Sequence, residues 1–224
     1  MPPRIMNDIP FQKKLVLNNF ILKYFGFESF EDIKSHFSDP LYEGINSEGQ
    51  SRLFQAFWNL MEEVPDLRIT KEDFAQYDLN IINHLTEMNK NRGEQVSLKY
   101  FQYFSLVFVE AYLDNFFSSR ERLVKMLNEQ LAEYSSNFSL VFKDYEIKDL
   151  NKLAIWNATG SGKTLLMHIN VMQMKYYLRK YNIRFDGAYM LLTPSEALSN
   201  QHLEEFQESG IIAERFEKTA SRLF

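Results

Sequence analysis

Residues 153–164 read LAIWNATGSGKT, and this stretch decides which fold the sequence predicts. The apolar run Leu153–Trp156 leads into a glycine-bearing loop, and the pattern after the loop indicates a long helix over Lys163–Tyr181. A short apolar run bounded by turn residues is typical of a buried strand. Strand, loop and helix in this order predict the start of a parallel α/β sheet with right-handed crossovers.

The loop has the composition of a phosphate-binding loop. Gly160 and Gly162 give the backbone the freedom to turn consecutive N–H groups towards phosphate oxygens. Lys163 adds a mobile positive charge, and Thr164 places a hydroxyl in the first helical turn, where it can ligate Mg²⁺. We predict that Lys163 and Thr164 are catalytic. The residues predicted to bind ATP and its Mg²⁺ are Thr159, Gly160, Ser161, Gly162, Lys163 and Thr164.

One position departs from the usual loop pattern. Asn157 occupies the place of the first glycine in G-x-x-x-x-G-K-[ST]. The alternative explanation is a chance glycine-rich turn between a strand and a helix. That alternative requires the Gly-Lys-Thr core, the elements on both sides and a second motif further along to coincide. We therefore favour the phosphate loop.

A second motif follows the next apolar run, Ala188–Leu192. Residues 193–201 read TPSEALSNQ and open a predicted helix that runs from about Ser195 to Ser209. This segment repeats the order of strand, turn and helix. The two motifs therefore fit one parallel sheet.

Together these motifs resemble motifs I and Ia of superfamily 2 helicases. Residues 158–164 resemble motif I. The motif Ia pattern, P-[TS]-x-x-L-x-x-Q, is matched by Pro194, Ser195, Leu198 and Gln201. The surrounding sequence is similar to DEAD/DEAH-type helicases and to the Res subunits of type III restriction enzymes. The resemblance covers residues 150–212 and implies a RecA-like domain that uses ATP and Mg²⁺.

The resemblance also implies a contact with nucleic acid. Motif Ia of that family touches the sugar–phosphate backbone, so Thr193, Pro194 and Ser195 are expected to bind nucleic acid, with DNA favoured. Amide groups at a helix start attract anions, which supports this expectation. Glu196 stands where many relatives have arginine, and its charge weakens the expected contact.

Gln102 is a further candidate for nucleotide binding. Many relatives have an upstream glutamine whose amide reads the adenine edge, and Gln102 lies ahead of a predicted helix as such a residue would. Here 61 residues separate Gln102 from Lys163, which is a long interval. A glutamine on a helix surface is the other interpretation. The sequence leaves both open.

Charge is distributed unevenly along the chain. Residues 1–150 contain 16 Lys and Arg against 23 Asp and Glu, whereas residues 151–224 contain 9 against 7. An acidic segment repels phosphate, so we expect nucleic acid to contact the last third of the chain. The acidic region is expected to contact a protein partner instead.

The predicted fold class is α/β with two parts. Apolar residues recur at helical spacing over about the first 135 residues. We therefore predict a mostly helical N-terminal region, residues 1–149. The first part of a P-loop (RecA-like) parallel α/β domain, residues 150–224, follows it and carries motifs I and Ia only.

Composition excludes several classes of protein. The sequence has no cysteine, and its four histidines show no metal-ligand spacing. We find no run of about 18 apolar residues and no secretory signal, so we expect a cytoplasmic protein without a membrane contact.

Motor function needs more than these motifs. ATP hydrolysis requires an acidic element, typically Asp-Glu, and usually an opposing arginine. No Asp-Glu pair occurs in the sequence, and 14 residues follow Gly210. We expect the ATP-binding fragment of a nucleic-acid-dependent helicase or translocase of a restriction or phage-defence system, without the acidic motif and second lobe. The alternative is a non-catalytic nucleotide- or protein-binding fragment, while a small-molecule kinase is disfavoured by motif Ia.

Overall fold

A computed structural model describes residues 11–62, 64, 67–138 and 142–216. Short 3₁₀ segments lie at Phe11–Lys14, Pro40–Tyr42 and Ile147–Asn151. Within the described ranges the α-helices are α1 (Val16–Tyr24), α2 (Phe30–Phe37), α3 (Arg52–Met61), α4 (Lys71–Asn89), α5 (Tyr100–Ser118), α6 (Arg120–Phe138), α7 (Lys163–Lys180) and α8 (Glu196–Glu208).

Local capping groups fix several helix ends. The Ser29 hydroxyl accepts the Asp32 N–H, and the Asp32 carboxylate accepts the Ser29 N–H at 2.8 Å, which closes a capping box at the start of α2. Thr70 caps α4 by accepting the Asp73 N–H at 3.1 Å. Gly26, with φ of +77°, follows α1 in the left-handed conformation. These helix ends therefore depend on residues that are close together in the sequence.

Aromatic side chains form most of the core around α5. Phe104 of α5 is fully buried and packs against rings from α2 and α3. Phe57 of α3 meets Phe74 of α4 edge to face, with ring centroids 4.4 Å apart. Although α5 is rich in apolar side chains, neither it nor any other described helix is long and apolar enough to cross a membrane.

Polar contacts join α5 to α7, the helix that follows the glycine-bearing loop. The Tyr177 hydroxyl donates to the Glu110 carboxylate at 2.6 Å. One turn further along, Asp114 accepts from the Lys180 ammonium at 2.6 Å and from the Tyr181 hydroxyl at 2.8 Å. We call these five residues the polar seam. Because α7 also packs on α4, it lies within the same packed body as the helices that precede it.

The predicted parallel α/β sheet is wrong. The apolar runs at 153–156 and 188–192 are extended, but no strand is assigned anywhere in the described ranges. No backbone hydrogen bond joins the two runs, and an extended segment without a ladder partner is not a strand. Their side chains are correspondingly open, with Trp156 84% and Leu192 83% exposed. The described chain is helical, including the part for which a RecA-like sheet was predicted.

Candidate nucleotide site

The loop ahead of α7 has the backbone that its glycines allow. Gly160 and Gly162 have φ of +76° and +80°, in the left-handed region that favours glycine. The Ser161 N–H donates to the Ala158 carbonyl at 3.3 Å and closes the turn. Gly162 is the residue at which the loop enters the helix, and α7 begins at Lys163. The loop therefore ends at the N-terminus of an 18-residue helix, where anions are favoured.

Lys163 and Thr164 lie in the first turn of α7. The Lys163 ammonium donates to the Ala158 carbonyl at 3.0 Å and to the Asn157 carbonyl at 3.3 Å, so it lies across the loop. Lys163 is exposed and Thr164 is half-buried. A cation held over a loop by neutral carbonyls can turn to a phosphate, because it attracts an anion more strongly than a neutral dipole.

Gln102 of α5 lies directly against this loop. Its amide nitrogen donates to the Ser161 carbonyl at 2.9 Å, and its amide oxygen accepts the Lys99 N–H at 3.0 Å. The side chain is buried rather than spread over a helix surface. A Cβ atom at Gly162 would lie 2.6 Å from the Gln102 amide nitrogen. Gly162 is thus required by close approach as well as by backbone conformation.

Ser161 is the buried member of the loop. Its neighbours Ala158 to Gly160 are exposed, whereas Ser161 is held against α5 through the Gln102 contact. Its hydroxyl is buried and has no hydrogen-bond partner within the part of the chain that the structure describes. The loop therefore has one face on the helices and one face open to solvent.

The second predicted site is an exposed turn at the start of α8. The Ser195 hydroxyl accepts the Leu198 N–H at 3.3 Å and caps the helix. The Thr193 hydroxyl lies 3.1 Å from the Ser195 carbonyl and 2.5 Å from the Ser199 hydroxyl. Glu196 pairs with Arg215 at 2.7 Å, so a cation accompanies the charge expected to weaken a phosphate contact.

The C-terminal end of α8 contacts α7 and the segment between α4 and α5. Phe206 stacks on the His168 ring, with centroids 4.4 Å apart and an interplanar angle of 24°. The Ser209 hydroxyl accepts from the Arg92 guanidinium at 2.8 Å and lies 2.8 Å from His168 Nδ1. Burial, and then the charge of Arg92, lowers the pKa of His168 to about 4. The sequence gives no signal for this contact, because its members lie far apart along the chain.

Metal binding at this site would depend on the nucleotide. Across the described ranges, no group of three or more His, Asp or Glu side chains could hold a metal ion. Thr164, in the first turn after the loop, is in the position from which a hydroxyl ligates phosphate-bound Mg²⁺ in P-loop sites.

A glycine-bearing loop, a lysine and a helix N-terminus in this order are features of P-loop nucleotide-binding proteins. Residues 112–222 match the family model described as Type III restriction enzyme, res subunit, a helicase superfamily 2 type domain. The match includes both motifs, and the predicted resemblance to this family is confirmed. The match begins within α5 and does not include Gln102. No curated protein and no solved structure matched the chain.

Proposed function

We propose that the chain binds ATP with Mg²⁺ through residues 159–164, as the nucleotide-binding part of a nucleic-acid-dependent helicase or translocase. A restriction or phage-defence system is the context that the family favours. One observation carries the proposal: Gly160 and Gly162 are both left-handed immediately before Lys163 and the start of a long helix. That backbone turns N–H groups of a tight loop towards one point, which suits a phosphate group.

Each polar group of the loop has a part in this proposal. The Lys163 ammonium turns from the Asn157 and Ala158 carbonyls to the terminal phosphates. Thr164 supplies a hydroxyl to Mg²⁺, and the amides of the loop and of the first turn of α7 surround the phosphates. When bound, Mg²⁺ neutralises charge on the phosphate oxygens.

Gln102 has capacity for two roles. A primary amide has two N–H donors and two acceptor lone pairs. The Ser161 carbonyl uses one donor and the Lys99 N–H uses one lone pair. One donor and one lone pair are left, which is the pair that the adenine N7 and N6 positions require. We therefore propose that Gln102 holds the loop and reads adenine.

The exposed turn Thr193–Ser195 is proposed to contact the nucleic-acid backbone. Because the Ser195 hydroxyl caps α8, the contact would use the turn's amides and the remaining hydroxyl lone pair. The Glu196 pair with Arg215 reduces the repulsion that a lone carboxylate would exert on phosphate.

A second candidate is a non-catalytic module that only binds nucleotide, with the acidic helical region as a surface for a protein partner. The absence of any Asp-Glu pair from the 224 residues favours this candidate.

The test is the affinity for a fluorescent ATP analogue with Mg²⁺. Lys163→Ala should weaken binding roughly 10- to 100-fold, because a hydrogen bond to a charged group contributes about 1.5–3 kcal/mol. Lys175→Ala is the matched control, since Lys175 is an exposed lysine of the same helix. Equal affinity of the wild type and Lys163→Ala would contradict the proposal.

A further inference from the structure

We infer that Arg92, Ser209 and His168 position the turn Thr193–Ser195 relative to the phosphate loop. We call these three residues the junction. The inference rests on the proposed function, because it assigns a role in nucleic-acid binding to residues outside both motifs.

The helix α8 is attached to the rest of the molecule mainly at its C-terminal end. Phe206 is the buried side chain of Glu196–Glu208, and Ser209, which follows the helix, is also buried. In the first turn of α8, by contrast, Glu196 and Ala197 are exposed and no residue is buried. The direction of the helix is therefore determined mainly at its C-terminal end, by the stacking of Phe206 on His168 and by the two contacts of Ser209.

The Ser209 hydroxyl both accepts and donates a hydrogen bond. A guanidinium group only donates, so Ser209 accepts from Arg92. The serine proton is then available for His168 Nδ1, which accepts it when the imidazole is neutral and carries its own proton on Nε2. In this arrangement one hydroxyl links the segment between α4 and α5 to α7. The junction thus joins three parts of the chain at one buried atom.

The junction lies close to the phosphate loop. His168 is five residues after Lys163, so it lies about 7–8 Å along α7 from the phosphate loop. Gly210, with φ of +69°, lies against the exposed Asn91 side chain, whose amide would have to move to admit a Cβ atom. The end of α8 therefore contacts both the helix that follows the loop, through His168, and the segment that carries Arg92.

A rigid helix transmits this constraint to its other end. The 13 residues of α8 span roughly 20 Å, so a tilt of about 10° at Ser209 displaces Ser195 by about 3 Å. Such a displacement is enough to break hydrogen bonds to a phosphate. The phosphate loop lies before α7 and makes none of its contacts through Ser209. Loss of the junction should therefore weaken nucleic-acid binding and leave ATP binding intact.

The experiment compares two affinities in the same variants. Wild type, Ser209→Ala, Arg92→Ala and Arg92→Lys are titrated with a fluorescein-labelled single-stranded DNA oligonucleotide at fixed salt, and separately with a fluorescent ATP analogue and Mg²⁺. Ser209→Ala and Arg92→Ala should lower DNA affinity about 5- to 20-fold, with ATP affinity unchanged within about twofold. Arg92→Lys should restore part of the loss, because an ammonium can still donate to Ser209.

Arg184→Ala is the matched control. It removes the same charge from an exposed arginine whose partner, Asp186, is also exposed. Because Ser209→Ala changes no charge, a loss shared by Ser209→Ala and Arg92→Ala but not by Arg184→Ala reports geometry rather than the general attraction of DNA.

The outcomes separate this inference from the proposed function. A wild type that binds neither ligand overturns the proposed function and the junction with it. A wild type that binds both, together with unchanged DNA affinity in Ser209→Ala, overturns the junction alone, as does an equal loss in Arg184→Ala. If Ser209→Ala unfolds, the comparison of Arg92→Lys with Arg92→Ala decides the question.

Discussion

At the scale of single residues, Glu110 is an acid buried without a full set of partners. Its Oε2 atom accepts from Tyr177 at 2.6 Å and from Asn80 at 3.0 Å. Its Oε1 atom and the Gln173 amide oxygen are both buried with no partner within the described residues, although Gln173 is a neighbour of this carboxylate. Burial, the largest influence, raises the pKa of Glu110 to about 7.

This pKa predicts how stability depends on pH. The folded state keeps a proton that the unfolded state releases, because the ordinary pKa of 4.5 lies below the folded value of about 7. The contribution of Glu110 is therefore complete below about pH 4.5 and is lost as pH rises through 7, by up to about 3 kcal/mol. Glu110→Gln should remove this loss and be more stable than the wild type at pH 8.

Urea unfolding of both proteins at pH 5 and pH 8 checks the prediction. The difference between the two proteins isolates Glu110, since the half-buried His84 and the buried His168, whose pKa values are both lowered to about 4, contribute an opposite slope to both proteins. Parallel pH profiles for the wild type and Glu110→Gln would show that Glu110 is ionised in the folded protein.

At the scale of elements, the two glycines of the phosphate loop should differ in their tolerance of a side chain. Gly160→Ala should destabilise the folded protein by only about 1–2 kcal/mol, the strain of a left-handed alanine backbone. No atom lies within 4 Å of the Cβ position at Gly160, so the new side chain makes no clash. Gly162→Ala introduces the same backbone strain, and its Cβ atom also clashes with the Gln102 amide. ATP affinity and thermal stability should therefore fall further in Gly162→Ala.

A double variant separates the backbone strain at position 162 from the clash with Gln102. Gln102→Ala in the Gly162→Ala background should recover part of the thermal stability, because it removes the collision and leaves the backbone strain. Strictly additive effects of the two substitutions would mean that the loop moves away from α5 freely.

The same elements show how far the sequence could predict the structure. Long capped helices, such as α4 after Thr70, follow from local chemistry, and the apolar spacing over the first 135 or so residues predicts this helical region. The glycine conformations at 160 and 162 follow from the loop pattern for the same reason. The run at 153–156 has the composition of a strand, but a strand depends on partners elsewhere in the chain, which composition does not reveal. The contacts of Gln102 with the loop and of Arg92 with Ser209 span 59 and 117 residues, so no local pattern could predict them.

At the scale of the whole molecule, we expect ATP binding without turnover. The 224 residues contain no Asp-Glu pair to hold Mg²⁺ and orient water, and losing such groups typically lowers rates by about 10³-fold or more. Phosphate release with single-stranded DNA present should stay at background while the fluorescent ATP analogue still binds. ATPase activity that disappears in Lys163→Ala would contradict this expectation and place the acidic residues elsewhere in the chain.

The polar seam has a consequence for how the protein unfolds. Pulling α7 away from α5 would leave the Glu110 carboxyl without Tyr177 and the Asp114 carboxylate without Lys180 and Tyr181, and it would also expose the apolar surface beneath them. A nick in the connection between α6 and α7 would therefore not release two independent pieces. We therefore expect the loop proposed to hold ATP and the acidic helices to melt in one cooperative step, so that a ligand of the loop also protects the helices from denaturation.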